Sequence, residues 1–212
     1  MEAGRVTGPD GFVLLPGYFD RAAQESLLAE VLAAIEAAPL YQPVMPRTGQ
    51  PLSVKMTNMG SLGWISDRKG YRYEPIHPVT GKPWPAMPKA LTDLWDAFGH
   101  WPDRPEACLV NYYGPEARMG LHIDADEDIL DAPVISVSLG DRARFRLGGP
   151  ERSSPTRSMV LSSGDVVVLG GASRRFYHGV DRIYPGTSTL LPEHLHPGRI
   201  NLTLRRVRAV AQ

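Results

Sequence analysis

His122 and Asp124 stand two residues apart in the segment GLHIDADED. On a β-strand, residues i and i+2 project to the same face, so an imidazole and a carboxylate placed there can share one metal ion. A third ligand arriving from a distant strand completes a facial triad and leaves the opposite coordination positions open. That donor set suits non-haem Fe(II), which must admit a cosubstrate and O2. The spacing alone is a weak signal, because 13 Asp and 6 His in one chain give a fair chance of a random His-x-Asp. For the third ligand, His178 follows the apolar run GDVVVLGG in RRFYHGV, where a buried strand can end beside the first motif. Its plain structural alternative is packing with Phe176 and Tyr177. His194 and His196 share the two-residue spacing, but they lie between prolines in LLPEHLHPGR, which reads as a loop.

An iron centre with open positions needs a source of two electrons. In RINLTLRR, Arg199, Asn201, Thr203 and Arg205 share one strand face, and Ile200, Leu202 and Leu204 share the other. A buried face holding two guanidinium groups is costly unless an anion meets it. A dicarboxylate such as 2-oxoglutarate would do so, binding iron at one end and pairing with arginine at the other. The alternative is a basic surface edge made by Arg205, Arg206 and Arg208, with Asn201 and Thr203 facing water.

These residues need a scaffold. A helix is expected from about Asp20 to Ala38, with Asp20 as its cap, Leu27, Leu28, Val31, Leu32 and Ile35 on one face, and Pro39 ending it. A second helix is expected from Pro88 to Gly99, with Leu91, Leu94, Trp95 and Phe98 inward. Residues 39–88 are dense in Pro, Gly and aromatics and read as a loop-rich region with short strands at Ser53–Met59 and Gly70–Glu74. From Ala107 onward, alternating and β-branched runs broken by turn residues point to a sandwich or barrel. The fold expected is mainly β with flanking helices: a double-stranded β-helix (jelly roll) core, an N-terminal helical support and a loop-rich lid. With 212 residues and no convincing linker, the chain reads as a single domain, 1–212.

Composition excludes several classes. One cysteine, Cys108, cannot make an internal disulfide framework and suits a reducing compartment. No apolar run is long enough to span a membrane, and the segment MEAGRVTGPDG has no apolar secretory core; a cytoplasmic address and no membrane partner are the expectation. Zero net charge hides an asymmetry: residues 1–140 carry seven more acids than bases, and residues 141–212 seven more bases than acids, every one of those bases an arginine. Such a half suits bidentate recognition of carboxylate or phosphate, or merely the solvent faces of a sheet.

Taken together, MTNMGSLGW, GYRYEPI, GKPWPAMP, NYYGPEARMGLHIDADED, PVISVSLGD, GDVVVLGGASRRFYHGV and RINLTLR resemble, in family order from about residue 52 to 206, the AlkB-type DNA repair dioxygenases. The resemblance implies Fe(II)- and 2-oxoglutarate-dependent oxidative demethylation of alkylated bases such as 1-methyladenine and 3-methylcytosine. Its iron ligands fall on His122, Asp124 and His178. Its 2-oxoglutarate contacts fall on Asn111, Tyr113, Arg199, Asn201 and Arg205, and its base-recognition residues on Trp64, Tyr71, Tyr73, Asp126 and Arg152. It implies a nucleotide-recognition lid over 41–87 and a dioxygenase core over 104–208. One departure is that similar members carry a lid tyrosine before the MTN motif, where this chain has PRTGQPLSV with no aromatic. It bears on how nucleotides beside the target are held, not on the chemistry.

A base methylated at adenine N1 or cytosine N3 is cationic and pairs poorly, so extruding it costs less than extruding an intact base. Trp64, on a Gly-flanked loop, would stack on it with a cation–π gain of about 0.5–2 kcal/mol; otherwise it is a core tryptophan. Asp126 would accept from the exocyclic amino group. Tyr71 and Tyr73 would bond phosphate or sugar, or pack across a sheet. The expected partner is alkylated DNA, single strands preferred, bound by a monomer. The same chemistry on RNA, tRNA or a protein side chain is the second reading, and a non-catalytic β-sandwich that binds nucleic acid is the third.

Overall fold

Asp20 caps the first helix by accepting a hydrogen bond from the Ala23 N–H at 2.9 Å. The computed structural model describes residues 4–8 and 10–209. In chain order it contains β1 (Val6–Thr7), β2 (Phe12–Leu15), α1 (Arg21–Ala37), β3 (Lys55–Gly60), β4 (Gly63–Asp67), β5 (Gly70–Glu74), α2 (Lys89–Phe98), β6 (Ala107–Tyr113) and β7 (Met119–His122). There follow β8 (Val134–Gly140), β9 (Arg142–Leu147), β10 (Arg157–Leu161), β11 (Val166–Leu169), β12 (His178–Tyr184) and β13 (Arg199–Arg205). Both helices fall within about a residue of their expected bounds.

Two antiparallel sheets face each other as a jelly roll. The larger has the order β1-β2-β11-β8-β13-β6-β3, the smaller β10-β9-β12-β7. Period-two alternation sorts the larger sheet's side chains into two cores. Val110, Ile135, Val137, Val166, Val168, Ile200, Leu202 and Leu204 pack against Leu27, Leu28 and Val31 of α1 and Leu91, Leu94 and Trp95 of α2. The opposite face contributes Tyr113, Val134, Val167 and Leu169, which meet Phe145, Leu147, Val180 and Ile183 of the smaller sheet. Burying each large apolar side chain contributes about 1.5–3 kcal/mol, so the helices clamp the larger sheet while its inner face stays free to carry polar groups. No helix of the described residues is long and apolar enough to cross a membrane.

The region expected to be loop-rich is more ordered than its Pro and Gly content suggested. β3 is the edge strand of the larger sheet, paired with β6 from Lys55↔Tyr112 to Gly60↔Ala107. Gly63–Asp67 and Gly70–Glu74 form a hairpin, so Trp64 sits in a strand and not on a loop. The reason is Asn58 of β3: its side chain accepts from the Trp64 N–H at 3.1 Å and donates to the Trp64 carbonyl at 3.0 Å, acting as one more rung of a ladder. Gly63 is required where β4 passes Trp84, because a Cβ there would lie 2.4 Å from the indole.

Candidate metal centre and cosubstrate pocket

Strand register brings the two imidazoles together. β7 and β12 are antiparallel, and His122 lies directly opposite His178. Their rings are 4.6 Å apart between centroids. Gly179 allows this approach, since a Cβ there would fall 2.6 Å from the Met119 carbonyl. Each ring donates through Nδ1 to a backbone carbonyl, His122 to Gly120 at 2.9 Å and His178 to Phe176 at 3.0 Å. A carbonyl can only accept, so Nδ1 carries the proton and both Nε2 lone pairs face inward.

Asp124 completes the group. It lies just past the end of β7, and its carboxylate is 3.5 Å from His122 Nε2 and 3.6 Å from His178 Nε2. One donor atom from each of the three residues falls within 4.8 Å of the others. Arg174 holds the Asp124 backbone by donating to its carbonyl at 2.6 Å, and Arg205 pairs with its carboxylate at 2.7 Å. Burial works to protonate Asp124, but Arg205 together with the His122 and His178 rings outweighs it and holds the carboxyl well below its ordinary range. Burial opposes charge on His122, and the Asp124 carboxylate overcomes it, raising the imidazole pKa. Two neutral-capable imidazoles and an anionic carboxylate on one side of a cleft form a donor set that fits Fe(II).

The cleft beyond the triad is lined by Asn111 and Tyr113 of β6, Ser136, and the inner face of β13: Arg199, Asn201, Thr203 and Arg205. Arg199 is 1% exposed and donates to Ser138 Oγ at 2.8 Å, while its Nε and Nη1 have no partner. Burial pulls its pKa down to about 10. A desolvated guanidinium with two unmet N–H groups fits an anionic ligand. A dicarboxylate entering with a divalent metal leaves the net charge of the site unchanged. Asn201 spans the middle of the face, donating to Ser136 Oγ at 2.6 Å and accepting from Thr203 at 2.9 Å. Burial raises the Tyr113 hydroxyl to about 12, so it stays a donor.

The expected base-recognition residues separate into two groups. Trp64 stacks on Tyr71 with ring centroids 5.5 Å apart and planes 17° from parallel, and its Nε1–H donates to Asp126 at 2.7 Å. Tyr71 is 49% exposed. Tyr73 is placed otherwise than expected for a phosphate or sugar contact: its hydroxyl bonds Glu127 and accepts from Arg205 at 3.0 Å. Arg152 donates to the Leu121 carbonyl at 3.1 Å, bracing the strand that carries His122. His194 and His196 are exposed and outside the triad.

Glu127 and Arg174 do work that sequence reading missed. Glu127 is fully buried although Asp126 and Asp128 beside it are exposed, and it pairs with Arg174 at 3.0 Å and Arg205 at 2.9 Å. Arg174 is 2% exposed, whereas its neighbour Arg175 pairs with Asp131 in solvent. No local pattern separates the two arginines. Asn58 could have been found from its place two residues after an inward-facing Met56 on a predicted strand.

The profile of the 2OG-Fe(II) oxygenase superfamily matches residues 11–205. The chain is 53% identical, over 98% of its length and 93% of the relative's, to an alpha-ketoglutarate-dependent dioxygenase AlkB homolog of Caulobacter vibrioides. It is 44% identical to the alpha-ketoglutarate-dependent dioxygenase AlkB of Escherichia coli (strain K12), covering 92% of this chain and 90% of that one. The solved structure of OsALKBH1 superposes with a TM-score of 0.79 at 30% identity, over 96% of this chain and all of that chain.

Proposed function

The chain belongs to the 2OG-Fe(II) oxygenase superfamily, and we propose that it is a direct-reversal DNA repair enzyme that oxidatively demethylates alkylated bases, 1-methyladenine and 3-methylcytosine, in single-stranded DNA. It is an Fe(II)- and 2-oxoglutarate-dependent dioxygenase. When bound, the metal and cosubstrate supply an oxidation that consumes O2 and 2-oxoglutarate, releases succinate and CO2, and hydroxylates the N-methyl carbon, which then leaves as formaldehyde. In this reading His122, Asp124 and His178 hold the iron, and Asn111, Tyr113, Arg199, Asn201 and Arg205 orient 2-oxoglutarate. Residues 41–87 form the nucleotide-recognition lid over a core at 104–208, within one domain that acts as a cytoplasmic monomer.

The observation that carries the nucleobase reading is the lid contact: the Trp64–Tyr71 stack is tied by the indole N–H to Asp126, two residues beyond Asp124. In this reading the stack is the aromatic platform for the flipped base, and the Asp126 oxygen that the indole does not use is its carboxylate partner. The exposed Asp126 favours a cationic ring over a neutral one, and the stack offers it a π face. Tyr73 serves this arrangement from behind, as a half-buried brace between the hairpin and Arg205. Arg152 acts at the cleft edge, where its remaining donors can meet a phosphate.

The test is release of formaldehyde and succinate from a 3-methylcytosine-containing single-stranded oligonucleotide, in the presence of Fe(II), 2-oxoglutarate and air. The expected outcome is lesion-dependent release of both, with His122→Ala losing bound iron and all turnover. An iron-loaded wild-type protein that leaves methylated DNA intact overturns the DNA reading. Turnover on a methylated tRNA stem-loop or a peptide in the same assay would then assign the substrate class.

A further inference from the structure

Residues 141–212 contain twelve arginines and five acids, and the site uses only Arg174, Arg199 and Arg205 inside it and Arg152 at its edge. Four of the others collect on one surface. On β9, Ala143, Phe145 and Leu147 point into the core between the sheets, so Arg142, Arg144 and Arg146 point outward. β12 carries a bulge between Val180 and Arg182. Val180 and Ile183 remain in the core, and the extra residue turns both Asp181 and Arg182 to the outer face.

The resulting surface is unbalanced. Arg182 lies directly opposite Arg144, a like-charge pairing that costs stability on a bare sheet. Asp181 is the carboxylate among these four arginines, and it is bound to Arg144 at 2.7 Å and lies 3.8 Å from Arg146. Arg142 and Arg182 have no ion-pair partner among the described residues; Arg182 lies over the Tyr184 ring at 5.4 Å. On the neighbouring strand, Ser158 and Val160 stand opposite Arg146 and Arg144. Both are short and exposed, but Arg144 is held by Asp181 and Arg146 donates from Nε and Nη2 to Thr156 Oγ1 at 3.2 and 2.7 Å, so the guanidinium groups open to solvent are those of Arg142 and Arg182.

The row also has a direction. Leu147 pairs with His178, so Arg146 is the member nearest the triad and Arg142 the farthest. Beyond β9, Arg152 continues the row to the residue before His122. Alternate residues of a strand repeat about every 7 Å, close to the interval between successive phosphates of an extended nucleic-acid strand. Arginine's planar fork suits phosphate oxygens better than a diffuse charge would.

We propose that the outer face of the β10-β9-β12-β7 sheet carries the phosphate backbone of single-stranded nucleic acid flanking the target base, along Arg146, Arg144, Arg182 and Arg142. This rests on the nucleobase reading above. It assigns the flanking grip to the sheet, in a chain whose lid segment PRTGQPLSV has no aromatic residue to provide it.

The experiment uses the double variant Arg142→Gln, Arg182→Gln, which leaves the Asp181 partners in place. Binding of a fluorescein-labelled oligothymidylate of about 16 nucleotides is followed by anisotropy across a salt series. Two fewer phosphate contacts should reduce the slope of log affinity against log salt by about 1.4 and weaken binding several-fold at low salt. In parallel, KM for a long methylated oligonucleotide should rise several-fold, with kcat unchanged and both constants unchanged on a methylated trinucleotide. An unaltered salt slope in the double variant overturns the proposal. Because binding is read on an unmethylated strand, that result is distinct from absence of turnover in the wild type, which overturns the repair reading instead.

Discussion

Arg205 and Arg199 stand at opposite ends of the inward face of β13, both nearly inaccessible, yet their surroundings differ in kind. Arg205 meets Asp124 at 2.7 Å, Glu127 at 2.9 Å and the Tyr73 hydroxyl at 3.0 Å. These carboxylates outweigh its burial and raise its pKa well above the usual value. Arg199 has Ser138 as a hydrogen-bond partner, and burial lowers its pKa. One end of the strand therefore has carboxylate partners before any ligand arrives and fixes the position of the Asp124 carboxylate. The other end carries an uncompensated charge, the state expected where an anionic ligand is to supply the missing contacts. The same residue type thus serves once with its partners already in place and once with donors left for a ligand.

The comparison breaks most visibly at Glu127. Glu127→Ala strips both Arg174 and Arg205 of a buried partner and should destabilise the protein by about 3–5 kcal/mol in chemical denaturation. A loss below about 1 kcal/mol would mean that Glu127 does not compensate the Arg205 end of the strand. Arg199→Met should behave in the opposite way. It removes unmet donors, so the ligand-free protein should be as stable as wild type or more stable by about 1–3 kcal/mol. It should also forfeit the stabilisation, about 2.7 kcal/mol at a hundredfold excess over Kd, that 2-oxoglutarate gives the anaerobic Fe(II) protein. Equal destabilisation by the two variants would erase the distinction between the ends.

A solvated ion pair supplies the weakest case. In the β4–β5 hairpin, hydrogen bonds from Arg72 and then from the Lys69 backbone hold the Asp67 carboxyl down at about 2, against an ordinary 3.8. A depressed folded pKa contributes stability above the unfolded value and loses it as pH falls, here between about 4 and 2. Both side chains are 30–43% exposed, and solvent screening keeps the contribution below about 1 kcal/mol. Asp67→Asn should lower the melting temperature slightly at pH 7 and not at pH 2. An effect as large as that of Glu127→Ala would show that exposure is not what separates these pairs.

Much of the fold was legible because it follows from short-range rules. The Asp20 cap of α1 is a single local hydrogen bond, and the apolar faces of α1 and α2 and the two faces of RINLTLR depend on periods of 3.6 and 2. The basic-edge alternative for β13 fails because Arg199, Thr203 and Arg205 are buried. Gly60 and Gly63 give the Trp64 segment the local signature of a loop, and the side chain of Asn58, which draws it into a strand, belongs to another segment. Glu127 and Arg174 were hidden for the same reason: each owes its burial to partners more than forty residues away.

By itself, the sequence determined which residue types were present to bind a metal and an anion, and on which face of a strand each would point, since those follow from chirality and backbone period. It favoured His178 over the proline-bounded His194 and His196 as the partner of His122, but did not fix the meeting of the two rings, which needs β12 paired with β7 in one register. Nor did it decide which of twelve arginines lie inside. Burial and register depend on how distant strands align across two sheets, and that alignment is set by the packing of both cores together, not by any stretch of chain alone.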